Sequence, residues 1–501
     1  MTRPYPYLPW LVLAVVSSGL LLIVVDMTVL YLALPSLTHD LHASSTQKLW
    51  IVSAYALAVA GLLPTMGALG DRFGHKRFFI AGLVVFGLAS LAAAFSPTPA
   101  ILIASRAVLG IGAAMMMPAT LAIIRHVFED PRDRSVAIGV WAAIASGGAA
   151  LGPVIGGVLL ESFWWGSVFL INLPVVAVAL VVGGLIIPAG KGDPTRRFDL
   201  VAAVQIMVAL VGITLAIKEA SKPSPSLPLA MAALGVGVAA GLVFVRRQQR
   251  SEVPMLDLGL FANRVFTAGV IGALVASGAL MGMELVVSQR MQLVAGLSPL
   301  QAGFAILPLP LAAFVAGPLT GVVLPRLGTE RVLWAALALA GVGVFGYLIG
   351  HQAGLAVQIV TFAVIGVAIG GVMTAASSAM LLNAPAEKAG LVASVEEVSY
   401  EMGGLLGIAV FGSLLSAIYT ATFDPPAALA VPEAARDGID AALIIAETAP
   451  EAMATGLVAL AHGAFDTAFM VVLTASAALL LAAAAVIAAR ARRPAAPASP
   501  A

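Results

Sequence analysis

Apolar residues along this chain come in long unbroken runs. They show neither the alternation of a half-buried strand nor the three-to-four spacing of a surface helix. A helix of about 20 apolar residues spans the ~30 Å hydrocarbon core of a bilayer. Runs of that kind lie near 10–34, 46–69, 78–95, 99–122, 136–160, 167–187, 199–217 and 228–245, and again near 266–289, 300–324, 332–349, 355–381, 391–419 and 463–488. An all-α membrane protein of fourteen spans is expected, with short connections that make consecutive helices antiparallel neighbours. The run from Trp10 to Pro35 exceeds a signal peptide's apolar region, has no small-residue cleavage pattern and is followed by further runs. It reads as a first span, not as a cleaved leader.

Composition agrees. Of 501 residues 61% are hydrophobic and 10% are charged, whereas a soluble domain carries roughly a quarter charged residues. Most of this surface therefore faces lipid. A net charge of +1 gives no basis for a nucleic-acid partner, and the absence of cysteine excludes disulfides, thiolate metal sites and cysteine nucleophiles. Lys191, after Gly190, is followed by Gly192, so it heads no nucleotide-binding loop. Gly341, Gly343 and Gly346 lie inside the eleventh run with no strand before them, which makes their dinucleotide-like spacing a coincidence. The histidines lack metal-ligand spacing, and Met115, Met116 and Met117 before Pro118 read as packing. No enzyme activity, cofactor or metal is expected, and transport, if it occurs, draws on an ion gradient.

Charge orients the spans. An even number puts both termini on one side. With that side cytoplasmic, 20 of the 26 lysines and arginines fall in cytoplasmic segments, including Arg3, Arg72, Lys76, Arg77, Arg132, Lys191, Arg196, Arg197, Lys388, Arg492 and Arg493. Lys48, Lys218, Lys222, Arg290 and Arg436 are left near the outer ends, and Arg106 falls within a span. Basic residues prefer the inside, so a multi-pass protein of the bacterial inner membrane with both termini cytoplasmic is expected. Segment 421–462 is the one long outer connection and carries six acids against Arg436 alone. It reads as a solvated loop or a hairpin of short helices. Residues 494–501 read as a disordered tail.

The turn after the second run repeats after the tenth. Gly67, Arg72, Gly74 and Arg77 coincide without gaps with Gly321, Arg326, Gly328 and Arg331. Duplication of this kind marks a transporter built from two halves, with its substrate site between them near mid-membrane. The expected plan is an N-terminal six-helix half over 1–190, two inserted helices over 191–250 and a C-terminal six-helix half over 251–493. The inserted pair lacks intramembrane acids, so a lipid-facing spacer is expected there.

Three features carry chemistry. Arg106 lies within the fourth run, where a cation costs on the order of 3 kcal/mol. The fifth run holds Gly148, Gly152, Pro153, Gly156 and Gly157, whose small surfaces allow close helix approach around a proline kink. The thirteenth holds Glu396, Glu397, Tyr400 and Glu401, and the 397/401 pair shares one helix face. At ~1.5 Å per residue, Glu401 lies about 16 Å into its span and Asp26 about 24 Å along the first. Acids that costly suit proton exchange and cation recognition. Glu284 lies in the outer part of the ninth run, where it either reaches headgroup water or serves the site.

These residues resemble those of the major facilitator superfamily. Gly67, Asp71, Arg72, Gly74 and Arg77 resemble its motif A, Arg106 its motif B arginine, and 147–157 its antiporter motif C. Asp26, Thr28, Ala33 and Pro35, then Trp165, Phe169, Asn172 and Pro174, then Ser298, Gln301, Gly303 and Pro308, are similar to signatures of the fourteen-span drug:proton antiporter family. Ser167 departs from that pattern, which often has a basic residue there. The acid-and-tyrosine pattern of 396–401 resembles the quaternary-ammonium and methyl viologen exporters of the family, and Glu284 is similar to them as well. The resemblance implies a proton-driven multidrug efflux antiporter exporting quaternary ammoniums, dyes, viologens and biguanides, working as a monomer in membrane lipid. It assigns proton coupling to Arg106, the inner gate to motif A, and protons and substrate to Asp26, Glu284, Glu396, Glu397, Tyr400 and Glu401. Export of tetracycline-like drugs or an endogenous metabolite is the alternative on the same fold.

Overall fold

The computed structural model describes residues 8–190, 192–193, 199–222, 224–251, 254, 256–384, 389–426 and 431–491, with backbone alone at 131, 132, 135, 142, 143, 145, 146, 389, 390 and 452. Arg3, the Arg132 side chain, Lys191, Arg196, Arg197, Lys388, Arg492, Arg493 and the expected 494–501 tail lie outside the described residues.

Seventeen α-helices are described, and no strand occurs among the described residues. In chain order they are α1 Leu8–Leu41, α2 Ser45–Phe73, α3 His75–Ala94, α4 Pro99–Val127, α5 Pro131–Ser162, α6 Ser167–Leu170 and α7 Asn172–Ile186. Next come α8 Leu200–Ala220, α9 Leu227–Arg250, α10 Arg264–Leu293, α11 Pro299–Ile306, α12 Pro308–Leu327, α13 Thr329–Gly350, α14 Leu355–Leu381, α15 Ala389–Thr422, α16 Ile439–Thr448 and α17 Glu451–Ala491. Helix is the natural outcome, because a lipid-bathed chain must satisfy its own backbone groups. Thirteen helical segments, counting α6–α7 and α11–α12 as one each, are long and apolar enough to cross a membrane. In α5 the described apolar part is Gly147–Ser162, so fourteen crossings are reached only if α5 crosses too.

Local signals place the ends. Ser44 with Gln47, and Ser298 with Gln301, form capping boxes at the starts of α2 and α11. Gly74 and Gly328, the matched glycines of the repeated turn, have φ of 98° and 84°. Each donates its N–H to the carbonyl four residues back, Gly70 at 2.8 Å and Leu324 at 2.9 Å. The two copies share geometry as well as spacing, and only glycine adopts such a φ without strain.

The apolar core comes as two large clusters, one drawn mainly from residues 12–187 and one from 260–487. Each is the interior of one half. A third, smaller cluster joins Ala56, Leu57 and Ala60 of α2 to Leu210 of α8 and Leu405 of α15. The expected lipid-facing spacer therefore describes α9, which exposes Leu229, Met231, Leu242 and Val243, but only one face of α8, the one carrying Val201, Val204 and Val208. Met207 of α8 lies so close to Gly61 that a Cβ there would stand 2.5 Å from its Cε. Lys218 of α8 is 1% exposed, donates to Ser53 Oγ at 2.9 Å and sits 4.1 Å from the Trp50 ring centre. Helix α8 is thus fastened to α2 and laid along the seam between the halves. Its apolar residues are as hydrophobic on the protein side as on the lipid side, so hydropathy could not separate the two faces.

The described part of the 421–462 segment is docked on the first half and is not a solvated connector. A 3-10 turn at Glu433–Arg436 leads into α16. Asp437 accepts from the Ser45 N–H at 2.8 Å, buried Asp440 pairs with buried Lys48, and Glu447 meets His39 at 3.1 Å. Lys48 also donates to Gln289 of α10 at 2.7 Å. Three of the segment's six acids, which together suggested solvation, meet partners on the α1–α2 hairpin that lie some 390 to 410 residues away in sequence.

Candidate functional site

Small residues set the scaffold first. Gly148, Gly152 and Gly156 fall on one face of α5, four apart, against α1. A Cβ on Gly152 would stand 1.8 Å from Thr28 Oγ1, and one on Gly148 would meet Leu21 at 3.0 Å. Gly157 faces the other half, where a Cβ would stand 2.5 Å from the Leu300 Cα. Gly303 returns the contact, with 2.5 Å from its would-be Cβ to the Pro153 carbonyl oxygen. Two sequence motifs thus fit into each other across the halves.

That contact is one of several at the same end. Ser288 Oγ donates to the Tyr31 carbonyl at 3.0 Å, Lys48 reaches Gln289, and Gly412 lies against Leu49. These join the halves at the end that carries the 42–44 turn. At the opposite end, a Cβ on Gly139, Gly321 or Gly328 would meet no atom of the described residues within 4 Å.

Within the first half, α1, α4 and α7 bring charge inward. Arg106 is 1% exposed and Asp26 3%, and they are joined by an ion pair through Nη1 and Oδ2. Arg106 Nε donates to the Ile51 carbonyl at 3.3 Å, and its guanidinium lies 4.6 Å from the Tyr55 ring centre. Asn172 Nδ2 donates to Asp26 at 3.4 Å and to Ser90 Oγ at 3.1 Å. Sequence placed Asp26 with the substrate acids and Arg106 with proton coupling; the fold makes them one buried pair.

The other half supplies acids without cations. Glu284, Glu397 and Glu401 are half-buried, and no lysine or arginine pairs with them among the described residues. Glu401 lies within electrostatic reach of both Tyr31 and Tyr55, and Glu284 within reach of Tyr31. Glu397 feels Glu401 and Glu396. Glu396 turns the other way and meets Ser377 of α14 through a side-chain hydrogen bond. Tyr400 follows it: its hydroxyl donates to the Met373 carbonyl of α14 at 3.2 Å, and its charged neighbour is Glu396. Tyr400 therefore belongs to the α14-facing side of α15, not beside Glu397 and Glu401 as helical spacing alone allowed.

Two tyrosines stand between the sets, and neither was singled out from sequence. The Tyr55 hydroxyl is buried without a hydrogen-bond partner among the described residues, and the Tyr31 hydroxyl has only the weak acceptor Met281 Sδ at 3.2 Å. Their scarcity, seven tyrosines in the whole chain, was the available signal. Together the residues form a layered site: a neutralised ion pair, two phenols, and three uncompensated carboxylates.

The repeated turn lies far from this layer. Asp71 bonds His75 at 3.1 Å, and Arg72 packs over Phe73. Gly67 touches Pro118 and Arg77 is exposed. The chain after α7 crosses the turn, where Asp193 donates to the Asp71 carbonyl at 2.9 Å and a Cβ on Gly192 would stand 2.1 Å from the Arg72 carbonyl oxygen.

The Major Facilitator Superfamily profile matches residues 16–408. The methyl viologen resistance protein SmvA of Salmonella typhimurium is 40% identical over 470 residues, 93% of this chain and 95% of that protein. The multidrug efflux pump LfrA of Mycolicibacterium smegmatis is 38% identical over 470 residues, 93% of each chain. A tetracenomycin C resistance and export protein of Streptomyces glaucescens is 30% identical over 410 residues, 81% of this chain and 76% of that one. Among solved structures, a bacterial homologue of the human lysosomal transporter Spinster superposes with a TM-score of 0.68 at 16% identity, covering 98% of each chain. That likeness speaks to the fold.

Proposed function

Given that this chain belongs to the Major Facilitator Superfamily, we propose that it is a proton-coupled multidrug exporter of lipophilic mono- and dications. It is a multi-pass membrane transporter and not an enzyme. The observation that carries the substrate class is the set Glu284, Glu397 and Glu401, half-buried without a counter-cation among the described residues, with Glu284 and Glu401 within electrostatic reach of Tyr31 of the first half. A buried carboxylate without a partner is expensive, so such a set takes either protons or an organic cation. Arg106 offers no competing charge, because Asp26 already holds it.

The cycle follows from that competition. The chain sits in the bacterial inner membrane with its termini cytoplasmic, and the contacts at the 42–44 end close the outer side. A cation enters from the cytoplasm, displaces protons from Glu397 and Glu401, and lays its organic body on Tyr31, Tyr55 and Met281. After the halves rock, protons from the outer side refill the carboxylates and release the cation outward. Asp26 and Arg106 couple the protonation of one half to the packing of α1 on α4. The monomer, with lipid around it, is the working unit, and the driving force is the proton gradient with no bound cofactor. A polyketide-like substrate, as the Streptomyces relative's name suggests, would leave three acids unused.

Everted vesicles carrying a proton-gradient probe supply the test. A dicationic viologen should release stored protons with the parental protein but not with Glu401→Gln, while a neutral drug should release them with neither protein. If Glu397→Gln and Glu401→Gln both export dications at the parental rate, the site is elsewhere.

A further inference from the structure

We propose that the cleft between α8 and α9, at the end carrying the Gly74 and Gly328 turns, binds an anionic phospholipid with a hydroxyl-bearing headgroup, of the phosphatidylglycerol type. This inference rests on the chain lying in a membrane and not on any reading of its cargo.

The cleft holds about 560 Å³ and is lined by Asp199, Gln205, Val243, Arg246, Arg247 and Arg250. Asp199 caps α8 and accepts from Arg247 Nε at 2.6 Å, so those two charges neutralise each other. Arg246 and Arg250 are exposed and have no carboxylate partner among the described residues. Among the described residues, three arginines against one aspartate leave the lining with two positive charges that no described carboxylate meets. Those two lie on successive turns of α9, a spacing that suits a single phosphate.

The inner wall adds a second demand. Gln205 Oε1 is buried and has no hydrogen-bond partner among the described residues. Gly212 packs on Gly237, and Ala209 on Gly241, in antiparallel register. Continued down the pair, that register puts Gln205 about level with Val245 and Arg246. An unfilled acceptor therefore stands at the depth of an unfilled cation, and a phosphate ester that also carries a hydroxyl satisfies both.

The remaining walls select an amphiphile over a free anion. Val201, Val204 and Val208 of α8, with Leu242, Val243 and Val245 of α9, are exposed along the same pair. Arginines ending a lipid-facing apolar surface are the recognised setting for anionic headgroups. An acyl chain can follow the valines while its phosphate stays at the arginines.

Native mass spectrometry of the purified full-length protein, delipidated and titrated with phosphatidylglycerol, phosphatidic acid or phosphatidylcholine, decides the matter. Phosphatidylglycerol should bind best and phosphatidylcholine worst. Arg246→Gln with Arg250→Gln should weaken phosphatidylglycerol binding about twenty-five-fold, from roughly a fivefold contribution per surface arginine. Gln205→Leu should make phosphatidylglycerol and phosphatidic acid bind alike. If the arginine pair does not fold when neutralised, Val243→Phe fills the cleft and should give the same loss. Parental binding in both the arginine and the Val243 variants would overturn the proposal, as would full displacement of the lipid by millimolar inorganic phosphate, which would mark a plain anion site.

Discussion

Asp26→Asn tests the buried pair most directly. In the parental protein the carboxylate meets Arg106 Nη1 and Asn172 Nδ2. Without its charge, Arg106 keeps one carbonyl at 3.3 Å and the faces of Tyr55 and Phe169 at 4.6 and 5.9 Å. Stranding one partner of a buried pair costs about 3–5 kcal/mol, and the ring faces return about 2 kcal/mol at most. A net loss of about 1–3 kcal/mol is expected. Arg106→Gln should cost less, because a carboxyl group can exist neutral whereas guanidinium stays charged. The double variant Asp26→Asn/Arg106→Gln leaves no charge unpaired and should recover most of the loss. Denaturant unfolding in micelles, followed by the six tryptophans, measures all four proteins, and the cysteine-free chain rules out thiol-reactive dyes. The same four proteins, assayed for drug-driven proton release, should show the double variant stable but uncoupled. Near-parental stability of Asp26→Asn with no coupling energy in the cycle would refute the reasoning.

Gly152→Ala should lower stability by about 1–3 kcal/mol, the usual cost of overpacking, because its methyl lands 1.8 Å from Thr28 Oγ1; Thr28→Ala should restore part of the loss in thermal unfolding. Ser45→Cys with Asp437→Cys, placed where Ser45 N–H meets the Asp437 carboxylate at 2.8 Å, should cross-link on oxidation. Transport should stop with the cross-link and resume on reduction, and continued transport by fully cross-linked protein would show that this end need not open.

Sequence by itself determined the class of molecule. Apolar runs of bilayer length leave the backbone no alternative to helix, so most helices were readable within about two turns, the exception being α17, which begins at Glu451 and not near 463. The repeated turn was equally legible, because a positive φ at Gly74 and Gly328 is a local demand that only glycine meets cheaply. Helical spacing also put Glu397 and Glu401 on one face. Spacing has no means of saying what that face meets. Tertiary structure decided that Asp26 belongs to Arg106 across 80 residues, that Tyr400 follows Glu396 toward α14, and that Tyr31 and Tyr55 stand between the charge sets. It also turned α8 inward against α2 and docked Asp437, Asp440 and Glu447 on the α1–α2 hairpin. In a chain where lipid and protein interior are equally apolar, hydropathy marks a helix but carries no signal for its buried side. That side is set by small residues that let helices touch and by the few polar groups that find partners, and both depend on contacts hundreds of residues apart.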